Sequence, residues 1–236
     1  MTAPPLPARR AGHVLVKVAA LHDAVRDFRE LGFTVDYATA PEKAHNAHVW
    51  FASGPFLELF ELPAQAARLR PLIALRYGSA MADRVARWAR TGIEGFCDLA
   101  IETDSTDLRA DLRALNRAGA RLGRRIRSSR VRPDGERVRY EFAMAGPSRA
   151  PFVVSAYDPP QRPPSTAHPN GAQAVTGITL GVAAEEVAVT DAIVGPGDPV
   201  LRREPADRTG VVSITVAGLD RAPDPALLHG AVVHAG

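Results

Sequence analysis

The sequence predicts an α+β protein built from two copies of one β-α-β-β-β module, with a shorter β-rich segment appended. Three observations carry this reading. The order strand, helix, three strands occurs twice, over residues 13–62 and 96–158. Within those stretches, short period-two patterns alternate with two well-marked amphipathic helices. The 236 residues are 46% hydrophobic and 23% charged, an ordinary globular composition with enough apolar chain for a substantial core.

His13 to Ala19 alternates in period two, as a half-buried strand does. Leu21 to Leu31 follows with Leu21, Ala24, Val25, Phe28 and Leu31 at helical spacing, and Gly32 stands where a C-terminal glycine cap belongs. Strands are expected at Phe33–Ala38, His45–Ala52 and Phe56–Leu62, with Gly54-Pro55 turning between the last two. Residues 63–95, rich in Ala, Leu and Arg, read as a helical connector closed by Gly92 and Gly95. The second module repeats the order. A strand at Phe96–Thr103 precedes an amphipathic helix at Thr106–Ala118, which Gly119 closes. Strands at Arg125–Val131, Val138–Ala145 and Phe152–Tyr157 complete it, with Pro133-Asp134-Gly135 as a hairpin turn. Residues 159–174 form a Pro-rich linker without periodicity. In residues 175–236, strands stand out at Val175–Ala183 and Gly210–Leu219, with a weaker one at Arg202–Glu204 and one helical turn at Pro225–His229. This segment reads as a partial third module packed on the first two. The Pro-rich residues 1–12 are expected to be a flexible N-terminus.

Composition narrows the function classes. No run approaches the roughly 18 apolar residues of a membrane-spanning helix, and the N-terminal residues lack the apolar stretch of a signal peptide. A cytoplasmic location is therefore expected. The single cysteine, Cys97, forbids an internal disulfide and any multi-thiolate metal site. It reads as a buried, inert thiol facing the helix side of its strand. The net charge is +3, and 27 of the 29 cations are arginines. Such an excess either marks anionic partners or reflects GC-rich bacterial codon usage. Arg121 to Arg132 holds six of them, read either as a solvated surface or as a site for an anionic small substrate at a cleft mouth. No interleaved aromatics, Gly-rich phosphate loop, dinucleotide fingerprint or Gly-x-Ser-x-Gly elbow is present. The expected partner is a small molecule rather than nucleic acid or membrane.

Alternation sorts the strand residues onto two faces. Val14, Val16 and Val18 should face the helix, leaving His13, Leu15 and Lys17 opposite. Ala47, Val49 and Phe51 leave Asn46, His48 and Trp50, and Leu57 and Leu59 leave Phe56, Glu58 and Phe60. Three strands thus bring His13, Asn46, His48 and Glu58 to one face. In the second module that face receives Asp98 and Ala100, then Tyr140, Phe142 and Met144, then Val153, Ser155 and Tyr157.

Six pieces in order carry a family resemblance: His13-Val14, His45-Asn46-Ala47, Phe56-Leu57-Glu58-Leu59, Arg132-Pro133-Asp134-Gly135, Pro151-Phe152-Val153-Val154 and His168-Pro169-Asn170-Gly171-Ala172. Over about residues 12–183 the chain resembles the vicinal oxygen chelate superfamily. That group includes glyoxalase I, methylmalonyl-CoA epimerase, extradiol dioxygenases and the bleomycin and fosfomycin resistance proteins; more narrowly, the chain looks like the glyoxalase-like branch. The resemblance implies paired modules forming a curled mixed sheet around a cleft, with ligand on the concave face. The modules pair either within one chain or across a homodimer. Metal-binding members use one side chain from the first and fourth strands of each module. Carried over, these positions are His13, Glu58, Asp98 and Ser155. His13, Glu58 and Asp98 would hold one divalent metal (Fe, Mn, Zn, Ni or Mg), Ser155 being a poor ligand and His48 a substitute fourth. The alternative is a plain pocket without cofactor.

The resemblance implies a small-molecule enzyme of lyase, isomerase or ring-modifying character. In that reading His13, Glu58 and His48 do acid–base or metal chemistry, while Asn46, Trp50, Phe60, Tyr140, Phe142 and Tyr157 line the substrate pocket. A drug- or metabolite-sequestering protein is the other reading, and His13 has a purely structural alternative. His22 reads as solvated, His229 and His234 as incidental, and His168 as fixing a loop around Asn170-Gly171.

Overall fold

The computed structural model describes residues 6–236. Both expected modules are present. The first comprises β1 (Arg9–Lys17), α1 (Leu21–Glu30), β2 (Asp36–Tyr37), β3 (Asn46–Val49) and β4 (Phe56–Phe60). The second comprises β5 (Gly95–Thr103), α4 (Arg109–Arg117), β6 (Ile126–Val131), β7 (Arg137–Ala143) and β8 (Phe152–Val154). Between them run α2 (Arg70–Tyr77) and α3 (Ser79–Trp88), separated at Gly78, whose φ of 93° breaks the helix.

In each module the first strand lies parallel to the last. The modules join where β1 runs antiparallel to β5, giving one curled mixed sheet in the order β2-β3-β4-β1-β5-β8-β7-β6. The modules therefore pair within one chain. α1 seats Leu21, Ala24, Val25 and Phe28 on the convex face, its first turn held by the Glu61 carboxylate accepting from Leu21 N at 2.8 Å. α4 does the same in the second module through Leu112 and Leu115, with Leu108 N donating to Glu141 at 2.9 Å.

The appended segment forms a second sheet in the order β10-β9-β11-β12, from β9 (Ala174–Val182), α5 (Val187–Val194), β10 (Leu201–Pro205), β11 (Gly210–Ala217) and β12 (Val233–Ala235). Its central strands β9 and β11 are antiparallel, and each carries a parallel outer partner. That repeats in miniature the centre of the large sheet, where β1 and β5 are antiparallel with β4 and β8 outside them. Ile178, Leu180, Ile193, Ile214 and Val216 join the convex-side core with Val14, Val16, Leu99 and Ile101. The second sheet thus lies behind the large one, away from its concave face.

Three expectations need correction. Residues 1–5 of the expected flexible N-terminus lie outside the described residues, but Arg9 to Gly12 already belong to β1. Arg9 donates to the last carbonyls of α5, Ala192 O at 2.6 Å and Ile193 O at 3.2 Å, which ties this end to the second sheet. Cys97 packs on the concave side rather than the helix side, because a bulge between Leu15 and Val16 leaves Cys97 without a partner residue and resets the alternation. β8 turns Phe152 and Val154 to the concave side and Val153 into the convex core, the reverse of the expected alternation, and the Pro-rich linker that follows is pinned to the first module. His168 Nδ1 accepts from Thr34 N at 2.9 Å while its Nε2 donates to Trp50 O at 2.8 Å, and Arg162 donates to Phe51 O and to Gly54 O.

Candidate functional site

The concave face is only half open. α3 crosses the second module's side and drives Arg84 inward until it is 0% exposed, with Nη1 donating to Asp98 Oδ1 at 2.6 Å and Nη2 to Ala150 O at 2.7 Å. Arg87 and Trp88 Nε1 donate to Asp98 Oδ2 at 2.7 and 3.1 Å. What remains is a cavity of about 280 Å³, near the lower end of ligand-pocket volumes, roughly 300–1,000 Å³. One wall is polar, from His13 on β1, Asn46 and His48 on β3, and Glu58 on β4. The apolar lining includes Phe60, Met81, Trp88, Phe142, Met144 and Phe152, and Tyr140, Tyr157, Gln161 and Arg130 bring polar groups from the second module and the linker.

Glu58 sits at the centre of this wall. The β3–β4 pairing sets it opposite His48 and sets Asn46 opposite Phe60. Asn46 Nδ2 donates to Glu58 Oε1 at 2.7 Å, and His13 Nε2 lies 3.4 Å from Glu58 Oε2. Burial raises the Glu58 pKa above its ordinary 4.5, and the Asn46 hydrogen bond and the nearby Arg130 cation only partly oppose it. Burial also lowers the His13 pKa to about 3, with Arg130 adding to the effect. The His13–Glu58 contact is therefore one of neutral imidazole with carboxyl, not an ion pair. His13 stacks on Phe56 with ring centroids 4.7 Å apart, and its Nδ1 is buried without a partner among the described residues. Burial and the same cation push His48 well below 6.5, and burial pushes both cavity tyrosines up, so His48, Tyr140 and Tyr157 are all neutral at physiological pH.

The structure brings His13, His48, Glu58, Asn46, Phe60, Tyr140, Phe142 and Tyr157 together around this cavity. It does not bring Trp50, which stacks behind Phe56 at 4.0 Å and lines two neighbouring hollows instead. Nor does it bring Asp98. That carboxylate faces the concave side as the alternation required, but α3 has already closed over it, and both oxygens are taken by arginines and Trp88. Ser155 is spent as well, accepting from Glu141 N and donating to Ala156 O.

The triad His13, Glu58 and Asp98 is consequently not assembled, and among the described residues no three His, Cys, Asp or Glu side chains converge as metal ligands would. A half-buried guanidinium, Arg130, lies in the same cavity, and a second cation there would be repelled. The donor set does not fit a resident divalent metal. The residues that sequence reading missed are Arg84, Met81, Trp88 and Gln161, while Arg130 stood out only as one of the six arginines between 121 and 132. Ala82, Val85 and Trp88 are spaced as one apolar helix face, which could have announced that α3 docks; Gln161 sits in an aperiodic linker and left no signal.

The glyoxalase-like domain family model matches residues 12–192. The chain belongs to the glyoxalase-like domain family. Among solved structures, a hypothetical protein from Staphylococcus aureus aligns over 97% of this chain and 99% of its own, with TM-score 0.65 and 10% identity, so the likeness is one of fold. The Mn(II)-bound glyoxalase from Novosphingobium aromaticivorans aligns over 89% of this chain and 66% of its own (TM-score 0.47, 11% identity). The 2,3-dioxygenase LapB from Pseudomonas sp. KL28 aligns over 90% and 75% (TM-score 0.47, 11% identity). No curated protein matches the sequence. The S. aureus alignment spans nearly the whole chain, beyond the residues that the family model matches. Among the described residues no helix is long and apolar enough to cross a membrane.

Proposed function

We propose that this glyoxalase-like protein is a small-molecule enzyme that moves a proton on a carbonyl compound, with Glu58 as the base. The observation that carries the reading is the environment of Glu58: one carboxyl group in an aromatic cavity, its pKa raised by burial, with Asn46 fixing one oxygen and His13 beside the other. A carboxylate so raised is closer to working pH and is a better proton acceptor than a solvated one.

In this reading Glu58 takes a proton from the carbon next to the substrate carbonyl, the C–H electron pair becomes the carbon–carbon double bond of an enolate, and the carbonyl π pair moves onto oxygen. Return of the proton to a neighbouring atom gives an isomer; loss of a leaving group from the adjacent carbon gives a lyase product. His13 and His48, both neutral, can each donate one N–H to the oxygen that gains charge. Tyr140 and Tyr157 supply further neutral donors. No metal is needed for these steps, because the enolate charge is met by hydrogen-bond donors and by the Arg130 cation.

The test is hydrogen exchange in D2O. A panel of small ketones and keto acids is incubated with the protein, and loss of the α-proton signal is followed by ¹H NMR. The wild type should exchange at least one of them, and Glu58→Gln should lose about 10²–10⁴-fold in rate with little change in affinity. Panel members that bind without exchange, and bind Glu58→Gln equally well, would instead support sequestration, which the aromatic lining and the absence of a third metal ligand also suit.

A further inference from the structure

Of the arginines between 121 and 132, most are accounted for by protein partners. Arg124 donates to Leu75 O at 2.9 Å, Arg125 and Arg127 reach Glu141, and Arg132 pairs with Asp134 and Glu136. Arg130 differs. The β6 alternation turns it inward with Ile126 and Ser128, and it lines the cavity. Among the described residues its hydrogen bonds go only to neutral oxygens, Ala38 O at 2.8 Å and Gln161 Oε1.

Arg130 is half-buried, and a cation drawn even partly out of water is normally matched by an anion, since burying a charge without a partner is costly. The same protein shows the rule at Arg84, which is fully buried against Asp98. Arg130 has no such partner within ion-pair distance among the described residues; Glu58 is near enough to influence it but not to bond it. The guanidinium is nevertheless held in place from two sides, and a guanidinium has five N–H donors, of which Ala38 and Gln161 engage only some. It is a fixed cation with spare donors at the edge of an apolar cavity.

We infer that Arg130 is the anchor for an anionic oxygen of the ligand, so that the substrates of this cavity are small, flat organic acids whose carboxylate pairs with Arg130 while the body lies among Phe60, Trp88, Phe142 and Phe152. This deepens the acid–base reading and rests on it. With the carboxylate on Arg130, a carbonyl beside it sits on the Glu58 side of the cavity, and the charge that develops on its oxygen forms in the field of the same cation.

The inference is tested on the intact protein with two probes of one shape, benzoate and its neutral isostere benzamide, titrated by tryptophan fluorescence. Trp88 lines the cavity and reports occupancy. Benzoate should bind about tenfold more tightly than benzamide, the preference should vanish in Arg130→Met, and it should persist in Glu58→Gln. Equal affinities in the wild type, no saturable response to either probe, or a preference that survives Arg130→Met would each overturn it. The wild-type comparison decides even where Arg130→Met fails to fold. The two readings fail separately: equal probe affinities remove Arg130 as anchor and leave Glu58 as base, whereas a Glu58 without proton-transfer activity leaves the benzoate preference standing.

Discussion

At the scale of single residues, the site works by keeping its ionisable groups neutral or nearly so, and that has a cost readable in pH. His13 titrates near 3 when folded and near its ordinary 6.5 when unfolded. Between those values the unfolded chain binds a proton that the native protein does not. The stability from neutral His13 is therefore complete above pH 6.5 and is lost as pH falls towards 3, by up to about 5 kcal/mol. His13→Gln should flatten this acid limb in urea titrations from pH 7 to 3.5; an unchanged limb would mean that His13 is charged in the native state. Glu58 acts with the opposite sign. Its folded pKa lies above 4.5, so stability falls as pH rises from 4.5 through the raised value, and Glu58→Gln should be the more stable protein at pH 7. Most of this constellation was legible in the sequence, because strand alternation alone places His13, Asn46, His48 and Glu58 on one face. Trp50 was not, since β3 ends at Val49 and the alternation stops one residue short of it.

At the scale of elements, α3 decides how much cleft exists. The connector was legible as helical, but its landing place was not, because nothing local says that Arg84 will be driven under the sheet to meet Asp98. The physical reason is pairing: a guanidinium and a carboxylate that are both fully buried can only be there together. Arg84→Met should cost about 3 kcal/mol in urea unfolding, leaving Asp98 with Arg87 as its one cation beside the Trp88 hydrogen bond, and Asp98→Leu in the same chain should recover part of that loss. A single variant within about 0.5 kcal/mol of wild type would remove α3 docking from the account. α5 shows the opposite failure. Val187 to Val194 is crowded with β-branched residues and has weak helical propensity, and it is helical because Val189, Ile193 and Val194 pack into the convex core. The short strands β2, β8 and β12 were misjudged in length or missed, because strands of two or three residues have too few alternations to register.

At the scale of the whole molecule, the appended sheet and the cavity divide the work. The second sheet fills the convex core and, through Arg9 and the Ala11 N to Asp198 hydrogen bond at 2.5 Å, is tied to the first strand of the large sheet. Removing residues 173–236 would expose Leu99, Ile101 and Val16 to water, so the truncated chain should aggregate rather than fold. In the full chain, both tryptophans belong to the cavity half. Their fluorescence and the far-UV circular dichroism should therefore report one coincident unfolding transition. Two separated transitions would show that the appended sheet folds by itself. The modular repeat made this division foreseeable, but the parallel outer strands of the second sheet were not, since β10 and β12 each have only a few residues of pattern.

The proposed proton transfer depends on Glu58 being a carboxyl group held above its ordinary range by burial. ¹³C NMR titration of the glutamate side-chain carboxyls, with Glu58 assigned by its loss in Glu58→Gln, measures this without a substrate. A midpoint clearly above 4.5 is the predicted result, and a midpoint at or below 4.5 would contradict the assignment of Glu58 as the base.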